Sequence, residues 1–120
     1  MSDTGLEKIY ELQAELCRAL ANPVRLRILD LISEGARSSS QLLEVLEIPK
    51  ANLSQHLSVL KAAGILAERR EGPFRVLSLA IPQIEQACEL IRKVLAQRLE
   101  VQGRSVAELR RGLKRNIRRA

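Results

Sequence analysis

The sequence predicts a mainly α-helical α+β fold with one β-hairpin, and three observations predict it. Apolar residues recur at helical spacing along most of the chain, capping and breaking residues fall between those stretches, and the period changes only between residues 65 and 79. One hundred and twenty residues, 46% hydrophobic and 28% charged, suit a single globular core.

Thr4-Gly5-Leu6-Glu7 has capping-box spacing, and Leu6, Ile9, Tyr10, Leu16, Cys17 and Leu20 follow as the buried stripe of a helix over about residues 5–20. Asn22 before Pro23 reads as an N-cap with proline at the first helical position, where its missing N–H costs nothing. The second helix then points Val24, Ile28, Leu29, Leu31 and Ile32 inward and stops at Gly35. Three serines, 38–40, offer caps for a short third helix over 41–46, which Ile48-Pro49 breaks. A fourth, with Leu53, Leu57, Val59 and Leu60 on its buried side, runs to Ala63 and ends at Gly64. These last two helices meet at a tight turn, as in a helix-turn-helix.

Residues 65–70 and 74–79 read as strands joined across Glu71-Gly72-Pro73. From Pro82 a long helix carries Ile84, Cys88, Ile91, Leu95 and Leu99 near the 3.5-residue repeat of a helix–helix seam, so it needs a partner. Gly103 interrupts it. Ser105-Val106-Ala107-Glu108 opens a basic amphipathic segment with Val106, Leu109, Leu113 and Ile117 on its apolar side. The expected organisation is a domain over 1–103 and a basic tail over 104–120.

The net charge of +6 sits in that tail, which holds seven basic residues against Glu108, whereas residues 1–103 carry 13 basic and 13 acidic side chains. A polyanionic partner must therefore be held by local clusters or by the tail. With 2% aromatic residues, base-stacking platforms are excluded. No apolar run nears the roughly 18 residues of a membrane span, and the N-terminus lacks a signal pattern, so a cytoplasmic protein with no membrane partner is expected. Cys17 and Cys88, 71 positions apart, imply no disulfide scaffold. A Gly-rich phosphate loop, a nucleophile elbow and a two-carboxylate cleft are all missing from the sequence, so neither enzymatic activity nor a cofactor is expected.

Helix four carries the chemistry. Ser54, Gln55 and His56 are polar where a core-facing helix is not, and Leu53, Leu57 and Leu60 anchor the other side. Gln pairs with an adenine edge, and Ser or His reaches a base or phosphate. Lys50 and Asn52 flank them as candidate phosphate contacts, and Arg69, Arg70 and Arg75 sit on the hairpin where they meet phosphates or enter a minor groove. The plain alternatives are a solvated helix face and hairpin solubility. His56 as a metal ligand is disfavoured, because it is the one histidine and its helix has no Cys, Asp or Glu.

The order of four helices, hairpin and helix is a winged helix-turn-helix, and two segments resemble the ArsR/SmtB family of repressors. Residues 20–29, LANPVRLRIL, look like that family's second-helix signature, and residues 52–66, NLSQHLSVLKAAGIL, look like its recognition helix and the start of its wing. The resemblance covers about residues 6–100. It implies a homodimer paired through the first and last helices that represses transcription from double-stranded DNA and leaves its operator when an inducer binds. Pro49 departs from the small capping residue usual there.

The family's metal sites are missing from this sequence. Its arsenic-type Cys-x-Cys would fall near residues 38–43, which hold no cysteine, and its zinc-type site needs histidines between 82 and 100, where there are none. No metal is expected. What remains is Cys17 and Cys88, on the two helices that the resemblance assigns to the dimer interface. They stand either as a thiol switch for oxidant, reactive sulfur or a thiophilic ion, or as small buried hydrophobes. Thiol-switch members of the family place the first cysteine on the second helix instead. The rival to an operator-specific repressor is an architectural or inducer-independent DNA-binding protein with structural cysteines. For the tail, phosphate binding, packing on the dimer and solubility all remain open.

Overall fold

The computed structural model describes residues 4–101 and 111–112. Over these the chain runs α1 (Thr4–Leu20), α2 (Pro23–Ser33), β1 (Arg37–Ser38), α3 (Ser39–Leu46), α4 (Lys50–Ala62), β2 (Leu66–Glu71), β3 (Phe74–Leu79) and α5 (Gln83–Val101). The expected break at Gly103 lies outside the described residues, as does the expected tail helix except for Arg111 and Gly112, which are helical.

Local chemistry sets the helix boundaries. The Asn22 side chain accepts from the Val24 and Arg25 amides at 2.9 and 3.2 Å and starts α2. Ser38 and Gln41 close a reciprocal capping box on α3. Glu47 ends α3 in the left-handed region, φ 53°, with its N–H donated to the Leu43 carbonyl, so residues 47–49 turn the chain into α4.

The strands form an antiparallel sheet in the order β1-β3-β2. The two-residue strand β1 was not expected from the sequence, because it is too short to show alternation; it pairs Arg37 with Leu77 and Ser38 with Val76. The hairpin is also tighter than expected. Glu71 pairs with Phe74 inside the ladder, which leaves Gly72-Pro73 as the loop, and Gly72 adopts φ 58°. Ile65 precedes β2, though its carbonyl still accepts from the Ala80 amide.

One core joins these elements. Ile28, Leu42, Leu53, Leu57, Leu60, Ile65 and Leu77 are fully buried, so α2, α3, α4 and the sheet converge on the inner face of α4. Val59, expected on that buried side, is exposed, because it lies about 100° around the helix from Leu60. The wing is fastened to α4 by one carboxylate. Glu68 accepts from Arg75 Nη2 at 2.7 Å, Arg75 Nε at 3.1 Å and Lys61 Nζ at 3.1 Å. These hydrogen bonds hold its carboxyl at about 2 against an ordinary 4.5. A second link, from Arg92 Nη1 to Asp30 Oδ1 at 3.1 Å, ties α5 to α2.

Two predictions follow from this packing. Leu57→Ala should cost about 2–5 kcal/mol in urea unfolding, the range for emptying a fully buried leucine site, and a cost near zero would contradict the described core. Because the folded pKa of Glu68 is depressed, its contribution is complete above about pH 4.5 and drains away as the pH falls towards 2. Stability measured across that window should therefore fall less in Glu68→Gln than in the wild type.

Candidate nucleic-acid interface

The outer face of α4 is built by subtraction. Leu53, Leu57 and Leu60 bury one side, and at 100° per residue the opposite strip carries Ala51, Gln55, Ser58 and Ala62, all exposed. Gln55 is central to this strip. Ser54, half-buried, lies on the flank that Lys61 shares with the wing, and His56, half-buried, lies on the flank towards α2. Sequence reasoning missed Ser58; its spacing of three from Gln55 was the available signal. α4 contains Lys50 and Lys61 and no carboxylate.

Pro49 leaves the first turn of α4 regular, for its carbonyl accepts from the Asn52 and Leu53 amides at 3.0 and 3.1 Å. No side chain caps that turn. Its leading amides and the positive end of the helix dipole thus stand beside the exposed Lys50 and Asn52, an arrangement suited to a phosphate oxygen.

Strand register separates the three wing arginines. Arg70 and Arg75 are directly paired and share a face with Glu68, towards α4. Arg69 lies on the opposite face, donates to Glu71 at 2.8 Å, and borders a cleft with Ser40 and Gln41 of α3. Arg75 is committed to Glu68, and Arg70 enters no ion pair among the described residues. Of the three, Arg70 is therefore the cation left to an outside partner on the α4 side.

His56 is not a free-standing side chain. Its Nδ1 lies 3.3 Å from Arg25 Nη1 on α2, and burial first, then the Arg25 charge, holds its pKa below 6.5. Sequence reasoning also missed Arg25, which is 31 positions away. Among the described residues no three His, Cys, Asp or Glu side chains converge as a metal site.

The two cysteines border one pocket away from the outward strip of α4. Cys17 and Cys88 both line an apolar pocket of about 230 Å³, walled by Leu20, Ala21, Leu26, Ile91 and Arg92. Cys88 is buried as expected, but Cys17, expected within a buried stripe, is exposed. The reason is that α1 overhangs the core: of its residues only Ala19 is fully covered, with Leu16 and Leu20 partly so. Burial pushes the Cys88 thiol up; Arg92 opposes that shift and Asp30 adds to it.

A family model described as a helix-turn-helix domain matches residues 20–69. The HTH-type transcriptional regulator Rv0081 of Mycobacterium tuberculosis is 41% identical over 107 residues, 88% of this chain and 94% of that protein. Its crystal structure matches with a TM-score of 0.73 at 42% identity, covering 78% of this chain and 95% of the other. The repressor SmtB of M. tuberculosis is 42% identical over 65 residues, 54% of this chain and 48% of its own length. A homodimeric winged helix-turn-helix DNA-binding domain of Mycobacterium bovis, described as a possible ArsR-family regulator, matches with a TM-score of 0.74 at 29% identity over 83% of this chain and 92% of that one. With recognition helix, wing and flanking helices in the same order, the chain belongs to the ArsR/SmtB family of winged helix-turn-helix transcriptional regulators.

Proposed function

We propose that the protein is a sequence-specific DNA-binding repressor that grips a pseudo-palindromic operator as a homodimer and is released by a thiol-directed signal at Cys17 and Cys88. The observation that carries the reading is the outward strip of α4, centred on Gln55, free of carboxylates and flanked by Lys50 and Arg70. A helix of this kind fits a major groove with its polar side on base edges, while cations at either margin hold phosphates. The protein acts by binding, without a catalytic step, in the compartment that holds the DNA, the cytoplasm.

Dimerisation is supported by apolar surface that one chain leaves bare. On α5, Leu90, Ile91 and Val94 are 61%, 61% and 64% exposed, and on α1 Leu6, Ile9, Tyr10 and Leu12 are exposed as well. Covering such side chains gains roughly 25 cal/mol per Å². A two-fold pair also presents two recognition helices to two half-sites. Residues 1–103 form this unit, and 104–120 are a basic appendage to it.

The shared pocket supports thiol control. Cys17, exposed at the rim, is the attacking sulfur, and Cys88, held protonated by burial, is the resolving one. A peroxide oxidises Cys17 to a sulfenic acid, and Cys88 displaces water from it to give a disulfide. Joining α1 to α5 in this way alters the packing of both dimer helices.

The specific test is titration of duplexes taken from upstream of the protein's own gene. A dimer should prefer its operator over random duplex by about 10³-fold or more at physiological salt, and Gln55→Ala should lose roughly 5- to 150-fold of operator affinity. A monomer indifferent to duplex sequence would overturn the reading. Hydrogen peroxide or polysulfide should weaken operator binding of the wild type and not of Cys17→Ser or Cys88→Ser. Equal release of all three would remove the thiols from the mechanism.

A further inference from the structure

Arg25 belongs to α2 but spends its guanidinium on two other helices. Nε donates to the Ala19 carbonyl at 2.6 Å and Nη2 to the Arg18 carbonyl at 3.1 Å, both in the last turn of α1. There a cation also meets the negative end of the helix dipole. The remaining nitrogen, Nη1, lies 3.3 Å from His56 Nδ1 on α4. A guanidinium has five donors and no acceptor and stays charged, so His56 Nδ1 is the acceptor. The ring proton then resides on Nε2.

Protonating Nδ1 would set an N–H and a second positive charge against a cation fixed by two carbonyls. Among the described residues no carboxylate is paired with His56 or Arg25: α4 has none, Glu68 of the wing is occupied by Lys61 and Arg75 on the far flank, and Glu15 of α1, which borders a cleft with Arg25, enters no ion pair. His56 is therefore held neutral, in one tautomer and one orientation, at the edge of the strip that Gln55 centres.

We propose that Arg25 is a positioning residue for DNA recognition: anchored on the end of α1, it fixes His56 so that Nε2–H is the ring's one free donor, directed at a hydrogen-bond acceptor on the duplex. That acceptor is a guanine, adenine or thymine edge in the major groove or a phosphate oxygen. The inference rests on the reading that α4 enters the groove and adds to it which group aims His56 and what His56 accepts as a partner.

His56 is the one histidine in the chain, so ¹⁵N-labelled imidazole gives a single, unambiguous ring spectrum. In the full-length wild type at pH 7.5 the spectrum should show a neutral ring protonated on Nε2. Arg25→Met keeps the apolar stem and removes the donors; its ring should populate both tautomers and titrate nearer 6.5. Operator affinity should fall about 10-fold, the effect of one lost positioned hydrogen bond. Arg25→Lys, a cation without the fork, should recover only part of the loss.

A wild-type ring protonated on Nδ1, or on both nitrogens, overturns the proposal even if Arg25→Met fails to fold. So does an Arg25→Met protein with unchanged operator affinity. The source of the acceptor is read from His56→Phe. A base contact shows as relaxed preference at one operator position, removed equally by 7-deazaguanine there if the base is guanine. A phosphate contact shows as a uniform loss on every duplex with the slope of log affinity against log salt unchanged, because a neutral ring releases no counterion. A wild type without operator preference sinks the DNA reading and this proposal together, whereas the wrong tautomer in a protein that keeps its operator preference sinks this proposal alone.

Discussion

A helix can offer one face to a groove only if its other face cannot leave the protein. In α4 that constraint is met by Leu53, Leu57 and Leu60, which are essentially sealed against Ile28, Ile65 and Leu77. Burying each such side chain is worth roughly 1.5–3 kcal/mol, and the three act together on the orientation of one helix. The core thus fixes the rotation of α4 about its axis, and rotation decides which residues point outward. Gln55 and Ser58 are outside because the three leucines are inside. The wing's position follows from the same anchoring, since Glu68 meets Lys61 only while the last turn of α4 stays where Leu60 holds it.

Away from α4 the packing is incomplete in a directional way. α1 contributes one fully buried side chain, Ala19, and α5 presents a second apolar strip at Leu90, Ile91 and Val94 besides the one that reaches the core through Ile84 and Cys88. Single exposed apolar residues are ordinary; clusters of them on both terminal helices are not. The pocket shared by Cys17 and Cys88 lies between these helices. Leu20 and Ala21, which line it, are the immediate neighbours of the Arg18 and Ala19 carbonyls that hold Arg25. The bare side of the molecule and α4 therefore meet at one short corner of chain.

What the sequence made legible is what local chemistry writes. Asn22-Pro23, the serines before α3, Gly64 and the Gly72-Pro73 loop each act within four residues, and the structure puts boundaries at or beside all of them. The leucine spacing in α4 likewise identified the outward residues around Gln55. Contacts made by folding were out of reach. β1 exists only because Leu77 and Val76 are there to pair with it, and Arg25 meets His56 across 31 positions. Three arginines in a hairpin looked equivalent until register put Arg69 on one face and Arg70 and Arg75 on the other. Cys17 sits on an apolar stripe as periodicity implied, but periodicity does not say whether a stripe is covered by its own chain.

The neutrality of residues 1–103 hides a polarised layout. The carboxylates Glu7, Glu11 and Glu15 lie along α1 and Glu85 and Glu89 along α5, while α4 has none. Part of the cationic charge around α4 is engaged by internal partners. Glu68 pairs with both Lys61 and Arg75 and Glu71 with Arg69, so two carboxylates offset two of those three charges, while two neutral α1 carbonyls hold Arg25 in place. Each unneutralised cation adds affinity for every duplex alike, because phosphates carry no sequence. On the proposed reading, engaging these cations internally leaves Lys50 and Arg70 at the margins and assigns discrimination to Gln55, Ser58 and the His56 ring. On that reading, base edges are favoured over phosphates by limiting what the charges do, and the limiting groups are a wing glutamate and the end of a helix.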